Sequence, residues 1–514
     1  MAVENLITEH LDIWTSAIKT KSAAGRGSSK KLELVGIKKL RELILELAVR
    51  GKLVPQDPSD EPASVLLKKI EAEKARLVLG EGLKTKAADF IKVDDCYLDV
   101  PNNWEWCRLG NLAKFIDYRG KTPKKVDAGV RLITAKNVRF GYIDLNPEEF
   151  ITEEEYKSWM TRGFPRVGDV LFTPEAPLGN VAVIKLTEKF ALAQRAICLQ
   201  MHIHEISEFM QLAMMCKSFQ QQLLLNATGM TATGIKASKL KEIPVPIPSL
   251  NEQHRIVAKV DQLMLLCDQL EAQTESSIQA HQLLVETLLA TLSNAKDADE
   301  LNDSWQVISQ HFDLLFTTQA SIDQLKRKIY ELAASGKLLV SKIVSTRSRG
   351  EILQVAKADK EDSIKQKEGK VEKLLELNIE LPYITVPPNW FEFKLDEVTI
   401  CLDHKRVPVK KSERTDGNIP YYGANGPVGF IGERLFDEEL VLVVEDETFL
   451  GRVKPFSYII EGPSWVNNHA HVLKCTSALL PKFLNILLAY YPFIPLTSGT
   501  TGRKKLTKNT LLQI

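Results

Sequence analysis

The 514-residue chain lacks long apolar runs, paired-cysteine spacings, an excess of either charge, and the short motifs of nucleotide or methyl-donor chemistry. Each absence excludes a class of protein. The apolar stretch at 483–490 falls far short of the roughly 20 residues that span a bilayer, and residues 1–14 have no basic start leading into an apolar core. No membrane contact is expected. The seven cysteines (Cys96, Cys107, Cys198, Cys216, Cys267, Cys401, Cys475) are odd in number and never spaced as CxxC. That pattern supports neither a zinc site nor a disulfide framework and fits a reducing cytoplasm. With 67 Lys and Arg against 66 Asp and Glu, the net charge is +1, so bulk charge alone cannot hold nucleic acid. Binding would need basic residues gathered on one face, or partner subunits that share the phosphate contacts. There is no GxxxxGK(S/T) loop, no GxGxxG after a strand and no (D/N)PP(F/Y) tetrapeptide. Asn146-Pro147-Glu148-Glu149-Phe150 and Gly499-Thr500-Thr501-Gly502-Arg503-Lys504 are only loose approaches to such motifs, so no catalytic centre is expected.

What the chain does contain is one pattern written twice. Residues 37–53, IKKLRELILELAVRGKL, return at 322–338 as IDQLKRKIYELAASGKL, pairing Leu40 with Leu325, Leu47 with Leu332 and Gly51 with Gly336. Val100-Pro101-Asn102-Asn103-Trp104 returns as Val386-Pro387-Pro388-Asn389-Trp390, and the offset drifts only from 285 to 286 residues. Thr228-Gly229-Met230-Thr231 is echoed by Ser498-Gly499-Thr500-Thr501, shortly before Ile243 and Ile514 respectively. The chain is a tandem pseudo-repeat.

Apolar periodicity and breakers divide it further. Residues 1–97 read as an N-terminal helical arm and linker, and 98–249 as a mainly β domain of short Val/Ile-rich runs broken by Gly, Pro and Asn. Pro244, Pro246 and Pro248 end that domain. Residues 250–340 read as a helical spacer whose seam runs Ile256, Val260, Leu263, Cys267, Leu270, Leu284 and Leu288, close to a heptad. A charged linker, in part helical, follows at 341–380, and 381–514 is a second mainly β domain. The expected class is α+β.

Candidate contact residues lie in the turns of the β domains. Lys136, Asn137 and Arg139 set basic and amide groups beside turn residues, as do Thr173 and Glu175 after a strand. Gln194 and Arg195 interrupt an apolar run, 191–199, that reads as one strand. In the second domain Tyr421, Tyr422 and Asn425 form an aromatic and amide loop, and Asn467, Asn468 and His469 alternate along a strand. Solvated loops and structural turns are the competing reading of every one of these. Arg119, Lys121, Arg503 and Lys504 suit phosphate. His469 and His471 could share a metal from one strand face, but no third ligand is identifiable nearby and hydrogen bonding is preferred, so no metal site is assigned. Glu445, Asp446 and Glu447 read as an acidic turn or a contact to cytosine's amino group.

Taken together, RGKTP, LITAKNVRFGYID, LAQRAICL, SWVNNHAHVL and above all the PxPxPxLxEQxxIV junction at 244–257 resemble the specificity subunit of Type I restriction-modification systems. The resemblance implies two target-recognition domains separated by long antiparallel-type helices, each reading half of a split, asymmetric double-stranded DNA target. It implies two modification subunits that methylate adenine N6, and restriction subunits that translocate. S-adenosylmethionine, ATP and Mg would then act only in those partners, with no cofactor in this chain. It also implies a proline-spaced junction and a further helix after position 514. Without them the chain would read as a truncated product or fragment, with the Ile256, Val260 and Leu263 seam partly exposed. A coiled-coil scaffold with two protein-binding β domains is the alternative, and a stand-alone DNA methyltransferase a more distant one.

Overall fold

The repeated helix ends in the same device both times. In the helix Val35–Val49, Ile37, Leu40 and Ile44 recur at three- and four-residue spacing and are buried. Gly51 stops it with φ +63°, its N–H bonding Ala48 O at 3.2 Å while Lys52 N–H reaches Leu47 O at 3.0 Å. The helix Gln319–Ala334 ends at Gly336 with φ +70° and the matching bonds, to Ala333 O at 3.2 Å and from Lys337 N–H to Leu332 O at 2.9 Å. A Cβ on Gly51 would lie 2.5 Å from Pro101 Cγ and 3.1 Å from Trp104 Cζ2; on Gly336 it would lie 2.5 Å from Pro387 Cγ and 3.0 Å from Trp390 Cζ2. The two sequence echoes, helix end and Pro-Asn-Trp turn, are therefore two halves of one packing contact, made twice.

The structure, a computed structural model, describes residues 9–21, 31–81, 91–118, 123–193, 195–228, 233–338, 347–371, 373–375, 386–447, 449, 452, 454–499 and 504–514. The chain divides into two units, 1–21 with 30–275 and 22–29 with 276–514.

In the first unit an antiparallel sheet has the order Ala113–Asp117, Ile197–Met201, Val170–Phe172, Val181–Val183. A smaller sheet has the order Phe150–Ile151, Val130–Ile133, Phe190–Leu192, and its last pair is parallel. Ile116, Leu132, Val138, Leu171, Leu192 and Cys198 share one buried core drawn from both sheets. The run 191–199, expected to be one strand, is two. It leaves the small sheet after Leu192 and enters the large one at Ile197, turning through Arg195 at φ +67°. Both halves are apolar, so sequence alone does not show the break.

The second unit repeats this plan. Thr399–Cys401, Ala470–Cys475, Leu440–Val444 and Ser457–Ile460 form the antiparallel sheet in the same relative order. The companion sheet has the order Gly426–Ile431, Ile419–Gly423, Pro463–Val466, Phe436–Asp437, with Tyr421 opposite Trp465 in a parallel pair. The chain again changes sheets on a short turn, here 467–469. Even the closing bond recurs: Leu109 N–H reaches Ile243 O at 3.0 Å, and Leu395 N–H reaches Ile514 O at 2.8 Å.

Pro244–Ile247 forms a strand after all, pairing antiparallel with Glu105–Arg108. With a single neighbour only alternate N–H groups are needed, so prolines at every second position are tolerated. The helix Leu250–Asn294 then runs 45 residues. Within the first unit its Ile256, Val260, Leu263 and Cys267 are fully buried rather than partly exposed as expected. The helix Val35–Val49 lies along this stretch, with Arg41 reaching Asp268 and Glu271, each at 2.7 Å. Within the second unit the buried positions are Val285, Leu289 and Leu292, packed with Ile308, Leu325 and Leu332. Leu284, expected in the seam, is 50% exposed. The helices Ala298–Gln310 and Arg349–Lys365 occupy stretches that composition marks as polar or linker-like.

Candidate nucleic-acid interface

Most of the candidate residues fall at equivalent places in the two units, on loops that leave the carboxyl ends of the same strands. Val130–Ile133 and Phe190–Leu192 lead into 134–139 and 193–196. Their counterparts Ile419–Gly423 and Pro463–Val466 lead into 424–426 and 467–469. Val170–Phe172 leads into Thr173 to Glu175, as Leu440–Val444 leads into Glu445 to Glu447. A fourth loop closes each rim: Thr228 bridges Gly234 and Gly234 bonds back toward Glu175, while Ser498 bridges Lys505 and Lys505 pairs with Asp446.

In both units an acid on one rim loop meets a basic side chain on another. Glu175 Oε1 meets Arg195 Nε at 3.1 Å, and Asp446 Oδ1 meets His469 Nδ1 at 2.5 Å. These pairs join residues about 20 positions apart and cannot be read from spacing. They fix where each rim's exposed groups stand.

The rim sorts the candidates. Lys136, Arg195, Asn425 and Asn468 are exposed, and Arg139, Glu175, Tyr422, His469 and Lys504 are half-buried. Arg139 is steadied by Asp144 at 3.3 Å, and Asn425 Oδ1 accepts from Arg452 at 2.8 Å. Four others are buried and require correction as base contacts. Asn137 Oδ1 accepts from Thr134 N–H at 3.0 Å, and its Nδ2 donates to Asp144 O at 2.9 Å and Pro147 O at 3.2 Å. Thr173 Oγ1 accepts from Asn180 N–H at 2.9 Å. Tyr421 accepts through its hydroxyl from Val409 N–H at 2.9 Å and lies under the Arg414 guanidinium at 3.8 Å. Asn467 Oδ1 accepts from His469 N–H at 2.8 Å. A short polar side chain next to a turn satisfies that turn's backbone before it can reach outward. Arg119, Lys121, Gln194 and Arg503 lie outside the described residues.

Sequence reading passed over several rim neighbours. Phe140 (44% exposed) and Tyr142 (60% exposed) flank Gly141 in the turn after Arg139, and Phe430 stands 61% exposed on the hairpin after Asn425. The available signal in VRFGYID was two aromatics on either side of a glycine at a turn, beside Arg139. Exposed aromatics beside basic and amide groups suit base edges and sugar faces.

His469 and His471 do not share a ligand. His469 turns to Asp446, whereas His471 is buried and lies 2.6 Å from Asp403. Among the described residues, Asp403, Glu445 and His471 bring ligand atoms within 4.8 Å of one another. Their oxygens, however, are already engaged by Arg406, Lys505 and the Val472 N–H. Burial alone would raise the Asp403 and Glu445 carboxyls. For Asp403 the His471 bond and nearby cations outweigh it, and for Glu445 the His471 charge, Arg406 and Lys505 do so, holding both below the usual carboxylate range.

The sequence profile of the Type I restriction modification DNA specificity domain matches residues 101–280 and 387–514, covering both rims. The chain belongs to this family. The specificity subunits of the Type I restriction enzymes EcoEI and EcoAI, both from Escherichia coli, are 38% identical over 428 residues and 39% identical over 396. Those alignments cover 78% and 73% of this chain, and the chain spans about two thirds of each relative, 68% and 64%. A chain solved in a study of complex assembly and conformational transition of the type I R-M system aligns over 80% of this chain and 85% of that one, at 16% identity and a TM-score of 0.41. Specificity subunits are the non-catalytic, DNA-recognising members of restriction-modification systems, and the family profile matches this α+β chain twice, once in each half of the repeat.

Proposed function

We propose that each rim reads one half of a bipartite, asymmetric double-stranded DNA target, and that the helix Leu250–Asn294 sets the gap between the halves. The observation that carries this reading is the pairing of equal frames with unlike rims. The same strand ends present Lys136, Arg139 and Arg195 in one unit and Asn425, Asn468 and His469 in the other. One frame used twice with different side chains suits a target whose halves differ. The presented groups are those that read base edges in the major groove, Arg on guanine and Asn on adenine, while Lys504 and the basic residues at 119, 121 and 503 serve phosphates.

On this reading 98–249 and 381–514 serve for recognition and 250–340 for spacing. Modification subunits that methylate adenine N6, and restriction subunits that translocate DNA, dock on the subunit and bring S-adenosylmethionine, ATP and Mg with them. The near-neutral net charge accords with such shared clamping. No helix among the described residues is long and apolar enough to cross a membrane, and a cytoplasmic setting fits the cysteine usage. The test is selection from random duplex DNA by the chain assembled with its modification subunits. Two short preferred blocks at fixed separation support the reading, and a single continuous block or no preference refutes it.

A further inference from the structure

One buried group in the second unit has no counterpart in the first. His471, at the start of the strand Ala470–Cys475, is 1% exposed. Its Nδ1 lies 2.6 Å from Asp403 Oδ2 and its Nε2 lies 2.9 Å from the Leu506 carbonyl oxygen. A carbonyl only accepts, so Nε2 carries a proton. Asp403 is itself an acceptor: its Oδ1 takes the Val472 N–H at 2.9 Å and its Oδ2 faces Arg406 at 3.1 Å. Both ring nitrogens therefore face acceptors, an arrangement that a ring donating from each nitrogen satisfies.

The charged groups around it come from every segment that meets it. Asp403 and Arg406 lie on one, Glu445 on a second with its Oε2 3.8 Å from Nδ1, and Lys505 on a third with Nζ 2.9 Å from Glu445 Oε1. The backbone ties the same segments, Glu445 N–H to His469 O at 3.0 Å and Leu506 N–H to Glu445 O at 2.8 Å. Asp446, Asn468, His469 and Lys504 sit one to three residues from these anchors. In the first unit Ile197, fully buried, stands opposite Asp117 at the corresponding place, and apolar packing replaces the charge.

We propose that His471 is a positioning residue for DNA reading, whose imidazolium ties together the loops of the second rim and makes that rim, unlike the first, depend on a proton. The inference rests on the proposed reading of DNA by the two rims. Loss of one ring proton removes the histidine's bond to either Asp403 or the Leu506 carbonyl, at a ring that is itself only 1% exposed. The loops at 445–447 and 504–506 then lose their common anchor.

The test uses the full chain with ¹⁵N-labelled histidine, the His471 signals being those missing in His471→Gln. Both ring nitrogens are expected to be protonated at neutral pH, and a neutral ring there overturns the proposal. Raising the pH until that signal reports deprotonation, or substituting His471→Ile, is expected to speed hydrogen exchange at 445–447 and 504–506. Unchanged exchange overturns the positioning role. On duplexes with one half-site scrambled, the same changes are expected to weaken second-half recognition about tenfold or more and leave first-half recognition intact. Equal loss at both halves overturns the proposal. If ring state and exchange behave as expected but the second unit selects no half-site at any pH, the reading of DNA by that rim fails instead. Should His471→Ile not fold, His471→Gln, which keeps one donor, gives the same comparison.

Discussion

At the scale of single residues, the decisive distinction is between side chains that hold a rim and side chains that the rim presents. The side chain of Asn137 makes its bonds inward, whereas Lys136, its neighbour, bonds Thr134 Oγ1 only through its backbone N–H and is exposed. Asn137→Ala is therefore expected to cost about 2–3 kcal/mol of stability in a denaturant titration, since it strands several buried backbone groups. Lys136→Ala should leave the midpoint unchanged within about 0.5 kcal/mol and weaken DNA binding. The sequence drew attention to these turns because basic and amide residues cluster there. It could not say which member of each cluster faces inward, since that depends on backbone groups brought close only by folding. The Asp403 and Glu445 carboxyls give a second check. Both are held below the usual range, so their contribution is present above the unfolded-state value, about 4, and lost as pH falls through the lower folded value. Denaturation midpoints measured at falling pH should decline for the second unit, and Asp403→Asn should shrink that decline.

At the scale of elements, the repeat was legible and the helical seam only partly. A strict seven-residue count from Ile256 arrives at Leu284, but the buried position is Val285, 29 residues on. An ideal helix drifts about 20° per heptad against a 3.5-residue repeat, so four heptads shift the inner face by nearly one residue. The stretch between Cys267 and Val285 holds no buried residue, and nothing there enforces the tighter winding of a coiled coil. The repeated glycine contact differs in its surroundings. Leu53, Trp104 and Phe209 are buried, with Trp104 Nε1 donating to Glu252 at 3.1 Å. Their counterparts Leu338, Trp390 and Phe483 are partly exposed, around a cavity of about 670 Å³. Trp104→Ala should therefore cost about 3–5 kcal/mol, and Trp390→Ala clearly less, when each unit's unfolding is followed separately. Gly51→Ala and Gly336→Ala should both destabilise by at least about 1 kcal/mol, because each forces a side chain into a left-handed backbone against a proline ring.

At the scale of the whole molecule, on the proposed reading duplication supplies two frames, divergence two rims, and the helix Leu250–Asn294 a length. Seven residues inserted between Leu270 and Leu284 lengthen that helix by about 10 Å and turn its far end by only about 20°. The expected result is a target whose gap grows by about three base pairs while both half-sites keep their sequences. The central claim, that each rim reads its own half, is tested most directly by determining the preferred DNA sequence for three assemblies. One carries the unaltered chain, one Lys136→Ala with Arg139→Ala, and one Asn468→Ala with His469→Ala. Preference should vanish at one block of positions in the second assembly and at the other block in the third. Loss at the same positions in both, or a uniform weakening with every preference retained, would contradict it.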